Sequence, residues 1–142
     1  MNVVIAQPPN IAEIDRVFPN RGAGVIYAFG DCIYNPSNAN IPRFIAQHEA
    51  AHGERQLTIF GVDKWWRQYL DDAEFRYEEE VIGHAAEYLW QINAWNRDRN
   101  DKARILASTA TRLLAAFYAY PIKRTHKQAA DDLTQEAHRM RK

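Results

Sequence analysis

Two kinds of apolar spacing divide the chain. Up to about residue 40 the apolar positions come in short runs bounded by turn residues, the signature of strands. Residues 3–6 form one such run, closed by Pro8 and Pro9. Residues 25–29 and 32–34 flank Gly30 and Asp31, which predicts a hairpin, with a type II′ turn because glycine comes first. Between these runs, residues 11–17 read as one or two helical turns with Asn10 as N-cap. After a polar loop at 35–40 the spacing becomes helical. Helices are expected over about 41–56, with Pro42 in the first turn, from about 63 through Leu70, and over about 71–95. The long third helix has Tyr77, Val81, His84, Ala85, Tyr88, Ile92 and Trp95 on its apolar face. A polar break at 96–101 precedes a helix over about 102–118, stopped by Pro121, and a basic amphipathic one over about 125–139. The order predicts an α+β fold: a small N-terminal three-stranded sheet packed on helix 41–56, then a helical C-terminal half.

Composition fits one domain. The 142 residues are 46% apolar and 25% charged, enough for a core and unlike a disordered chain. Charge refines this picture. The formal net charge of +0 conceals blocks of −1 over 1–60, −5 over 61–98 and +6 over 99–142. These are read as three parts of a single domain, 1–142. The basic block, with Lys123, Arg124, His126, Lys127, Arg139, Arg141 and Lys142, has no interleaved aromatics beyond Tyr118 and Tyr120. It reads as a solvated helical face or a partner for the acidic block, and no nucleic-acid partner is expected. Cys32 is the only cysteine, which excludes an intrachain disulfide. No apolar run reaches the ~18–20 residues of a membrane span, and no basic leader precedes the first one, so a cytoplasmic protein with no membrane partner is expected.

The chemistry concentrates at His48-Glu49-Ala50-Ala51-His52, an HExxH pattern. On a helix, positions i and i+4 share a face, so both imidazoles can reach one metal ion. Glu49 is displaced from His48 by about 100°, which sets it beside a zinc-bound water rather than on the ion. Zinc brings the pKa of such a water to about 7, and a glutamate there acts as general base. The competing reading is a helix with two incidental histidines. Zinc also needs a third protein ligand. Gly53–Gly61 contains no histidine, so a downstream carboxylate is indicated, and Glu78-Glu79-Glu80 offers three. Glu79 lies opposite the apolar face of its helix. Glu78 and Glu80 flank that face on opposite sides, and periodicity does not choose between them.

His48–His52 followed by a glutamate-bearing helix resembles the gluzincin metallopeptidases, which hold zinc with two histidines and a glutamate. Their glutamate commonly opens a Glu-x-x-x-Asp pattern. Glu80-Val81-Ile82-Gly83-His84 has that spacing, with His84 in place of Asp. The resemblance implies one zinc per chain held by His48, His52 and Glu80, with Glu78 as the alternative third ligand. It also implies Glu49 as general base and allows His84 as an orienter of a ligand; read from the residues alone, His84 is open as a ligand, as such an orienter or as a packed core histidine. Elements β-α-β-β-helix resemble the minigluzincins, a minimal zincin-like fold. The stretch from Trp65 to Leu70, with Phe75, Arg76 and the glutamate run, is similar to small phage and prophage proteins that carry HExxH. The implied function is a zinc-dependent metalloendopeptidase acting on a peptide or protein substrate. The alternative is a non-catalytic or degenerate zincin that serves in phage structure, assembly or binding.

Other residues are weighed against packing. Arg76, Tyr69 and Tyr88 are candidate donors to a developing oxyanion. For Arg76, one turn before Glu80, an ion pair with that glutamate is the favoured reading over substrate contact. Trp65, Trp66, Trp90 and Trp95 are expected in the core. In zinc peptidases a strand edge near the motif helix pairs with extended substrate, a role open here to residues 25–29 or 32–34.

Overall fold

The computed structural model describes residues 1–94, 98–115, 118, 120 and 123–141. Trp95, Pro121, Lys142 and positions 116–117 of the expected fifth helix lie outside them. The described residues form an α+β structure with a three-stranded mixed sheet at the N-terminus and six α-helices. Strand β1 is Asn2–Val4, helix α1 is Ile11–Val17, β2 is Tyr27–Phe29 and β3 is Cys32–Tyr34. Helices α2 (Arg43–Arg55), α3 (Val62–Asp71), α4 (Ala73–Ala94), α5 (Arg99–Leu113) and α6 (His126–Met140) follow.

The sheet order is β1-β3-β2, with β1 parallel and β2 antiparallel to β3. Gly30 takes φ +63° at the first turn position while Asp31 does not have positive φ, as a type II′ turn requires. The central place of β3 corrects one expectation. Both its edges are paired, so residues 32–34 have no backbone edge left for a substrate.

Between α2 and α3 the expected connection is instead a π-helical turn, Gln56–Phe60. The buried Gln56 amide locks it to the hairpin. Its Oε1 accepts from the Gly30 N–H at 2.7 Å and its Nε2 donates to the Ala28 carbonyl at 3.0 Å. Caps place the later helices. Asp72 Oδ1 accepts from the N–H groups of Glu74 and Phe75 at the start of α4, Asp98 caps α5, and Thr125 and Gln128 form a capping box on α6. Asn10 stands at the N-cap of α1 without a side-chain hydrogen bond there.

Two apolar clusters flank α4. One joins Ile14, Phe18 and Tyr27 to Trp65, Trp66, Tyr69 and Phe75. The other joins Tyr77, Val81 and Ala85 of α4 to Ala110 and Leu113 of α5 and Ala129 and Leu133 of α6. The basic C-terminal block therefore packs on the acidic helix, reinforced by Arg124–Glu74 at 3.1 Å and Tyr77 OH donating to Asp132 at 2.6 Å. Among the described residues no helix is long and apolar enough to cross a membrane.

Candidate metal centre

Helix α2 presents His48 and His52 one turn apart, and α4 presents Glu80, His84 and Glu87 against them. All five are buried. Two helices can come this close because position 83 is glycine. A Cβ there would stand 2.8 Å from both Cε1 and Nε2 of His48.

The donor atoms converge. His48 Nε2 lies 2.9 Å from His52 Nε2 and 3.1 Å from Glu80 Oε2. His52 Nε2 lies 3.3 Å from Glu80 Oε1, and His84 Nε2 lies 3.6 Å from Glu80 Oε2. One donor atom each from His48, Glu80 and His84 fall within 4.8 Å of one another. Glu87 Oε1 accepts from His48 Nδ1–H at 2.7 Å, which keeps a proton on Nδ1 and makes Nε2 the nitrogen that faces His52 and Glu80. His52 Nδ1, His84 Nδ1 and Glu80 Oε2 are buried without a hydrogen-bond partner. Two imidazole nitrogens and a carboxylate oxygen aimed at one another need a proton or a cation between them.

The surrounding charges say the same. Glu49, Glu80 and Glu87 face the histidines with one guanidinium, Arg112, bonded to Glu87 Oε2 at 2.6 Å. With neutral imidazoles those four side chains carry −2, which a divalent ion balances. In the metal-free chain, protons do part of that work. Burial pushes the His48 imidazolium down, but the Glu80 and Glu87 carboxylates outweigh it and hold its pKa well above the usual range. Burial likewise opposes ionisation of Glu80, and His52 and His48 overcome it, so that Glu80 titrates well below an ordinary carboxyl. Imidazole and carboxylate donors in this set fit zinc and other divalent first-row metals.

Glu49 lines the same cavity, of about 340 Å³, and is partly exposed. Burial raises its pKa, and the nearby His48 and His52 offset only part of the rise. Glu78 is exposed and away from the cluster. Glu79 departs from expectation: it is buried, held by Trp65 Nε1–H at 2.5 Å and by Arg55 Nε–H at 2.9 Å. Paired carboxylates can occupy a face that hydropathy assigns to solvent.

Two expected donors are otherwise engaged. The Tyr69 hydroxyl donates to Glu80 Oε1 at 2.6 Å and so fixes the carboxylate. Arg76 is buried and donates to the carbonyls of Tyr69, Leu70 and Tyr118, with no ion pair to Glu80. Tyr88 does not line the cavity. His84 has a donor atom within 4.8 Å of those of His48 and Glu80. The sequence reading missed Glu87 and Arg112. Glu87 sits three residues after His84 and seven after Glu80, so helical spacing places all three on one face. Trp65 packs 5.1 Å from the His52 ring, as a wall of the site.

The outer edge of β2 is only partly open. The Ala28 carbonyl accepts from Trp66 Nε1–H and Gln56 Nε2–H, both at 3.0 Å. Val25 and Ile26, just before it, line the cavity. No protein-family model matches this chain, and neither a curated protein nor a solved structure matches it.

Proposed function

We propose that the protein is a zinc-dependent metallopeptidase with a minimal zincin-like, gluzincin-type arrangement. One observation carries the reading: the two HExxH imidazoles and Glu80 converge on one point, and Glu49 lines the cavity that opens onto it. His48, His52 and Glu80 would hold the ion. Zinc there supplies Lewis acidity, polarising a carbonyl and acidifying a water. Glu49 takes the proton of the attacking water and passes it to the leaving amine. Its raised pKa suits a group that must both accept and release that proton. Tyr69 and Glu87 keep the ligands oriented. The Val25–Ile26 backbone, beside the cavity, offers hydrogen bonds to an extended peptide. The substrate is accordingly a peptide or protein segment.

A second reading is favoured by His84. Four protein donors would close a tetrahedral ion and make a structural site on a non-catalytic protein, such as a phage assembly or binding module. The two readings part on Glu49. Under the first, Glu49→Gln keeps zinc and loses about 10²–10⁴-fold in hydrolysis of a quenched-fluorescence peptide library. Equal cleavage by that variant and the parent would reject the peptidase mechanism.

A further inference from the structure

His84 is the buried imidazole that the HExxH motif does not supply. It comes from α4, one turn after Glu80, and its ring meets the His48 ring edge-on with centroids 4.6 Å apart. Its Nδ1 lies 3.1 Å from Glu87 Oε1, the oxygen that already accepts from His48 Nδ1 at 2.7 Å. Glu87 Oε1 thus accepts from His48 Nδ1–H and faces His84 Nδ1, which is buried without a hydrogen bond of its own, so one carboxylate oxygen stands behind both rings and favours a proton on the Nδ1 of each. Glu87 cannot readily turn away. It is buried, and Arg112 of α5 grips its other oxygen at 2.6 Å.

His84 shares its donor neighbours with the motif. His48, Glu80 and His84 each place one donor atom within 4.8 Å of the others, with His84 Nε2 3.6 Å from Glu80 Oε2. His48 and Glu80 are also the donors beside His52 Nε2, at 2.9 and 3.3 Å. Resting on the metal reading above, we propose that His84 is a fourth protein donor that caps the coordination position a substrate needs, with Glu87 as the shared positioning residue for His48 and His84. Tyr118 completes the device. Its hydroxyl lies 3.2 Å from His84 Nε2 and gives that nitrogen a partner when the cap is off. The resting centre is closed, and a substrate carbonyl or small anion enters only by displacing His84.

The test is imidazole nitrogen NMR on the full chain with one equivalent of zinc. His126 and His138 lie exposed on α6 and serve as internal references to the other three histidines. Three imidazoles are expected to show metal-bound Nε2, with the Nδ1 protons of His48 and His84 retained. Only His48 and His52 responding overturns the cap while leaving the metal reading intact. No imidazole responding overturns both. Glu87→Gln is expected to weaken zinc binding about 10–100-fold and to shift the Nδ1–H signals of His48 and His84 together. Unchanged affinity and signals in that variant overturn the positioning role. In the cobalt-loaded protein, His84→Ala is expected to bind azide at least about tenfold more tightly than the parent, and equal azide affinity counts against the cap.

Discussion

Helix α4 is buried on two sides, and the two sides are built from opposite chemistry. Tyr77, Val81 and Ala85 face α5 and α6 across an apolar cluster closed by Leu113 and Leu133. Glu80, Gly83, His84 and Glu87 face α2 across a polar one. The apolar side gains stability from every methyl it removes from water. The polar side gains little that way and must satisfy each group it buries. It does so through Tyr69 on Glu80, His48 and Arg112 on Glu87, and leaves Glu80 Oε2 and His52 Nδ1 without hydrogen bonds. Such a face costs stability unless something satisfies it, and its place beside a cavity is what points to a ligand.

The largest effect is expected on the apolar side. Leu133 is fully buried. Leu133→Ala should cost about 2–5 kcal/mol in urea unfolding while zinc affinity stays within about threefold of the parent. A loss of zinc matching the loss of stability would show that the two faces are one cooperative unit. Gly83→Ala sharpens the comparison from the polar side. The new Cβ would press on a His48 ring that Glu87 holds in place. The expected cost is smaller, about 1–3 kcal/mol, but zinc binding should suffer far more than in Leu133→Ala.

Acidity gives a gentler probe. His48 has a raised pKa in the metal-free chain, so its ion pairs stabilise the fold at low pH and are lost as pH rises through that raised value. Glu80 has a lowered pKa, so its contribution is present above the ordinary carboxyl range and is lost as pH falls through the lowered value. Zinc must displace the His48 proton. The increase in Tm on adding zinc should therefore grow from about pH 5.5 to about pH 8.5, with apparent affinity rising about tenfold per unit for each proton released. An increase in Tm that does not vary over that range would separate metal binding from His48.

Local signals in the sequence carried much of this architecture. The i, i+4 spacing places His48 and His52 without any tertiary information, and the Gly30-Asp31 turn places the hairpin. Choosing among Glu78, Glu79 and Glu80 required knowing how α4 is rotated against α2, which packing decides and periodicity does not. Hydropathy alone sets Glu79 on the outward face, because its indole and guanidinium partners come from Trp65 and Arg55, on other helices. Glu87 stands as a lone acidic residue among apolar ones, yet its offset from Glu80 and His84 puts it on their face. The π-helical turn follows from Gln56 reaching the hairpin backbone, a contact between distant segments that leaves no pattern in the chain.

The polar face of α4 and the HExxH face of α2 are proposed to hold a metal ion between them. Crystals grown with one equivalent of zinc and measured at the zinc absorption edge would locate it. One strong anomalous peak per chain is expected, bonded to His48 Nε2, His52 Nε2 and Glu80. No peak among these residues, with the cluster intact, would rule the metal centre out.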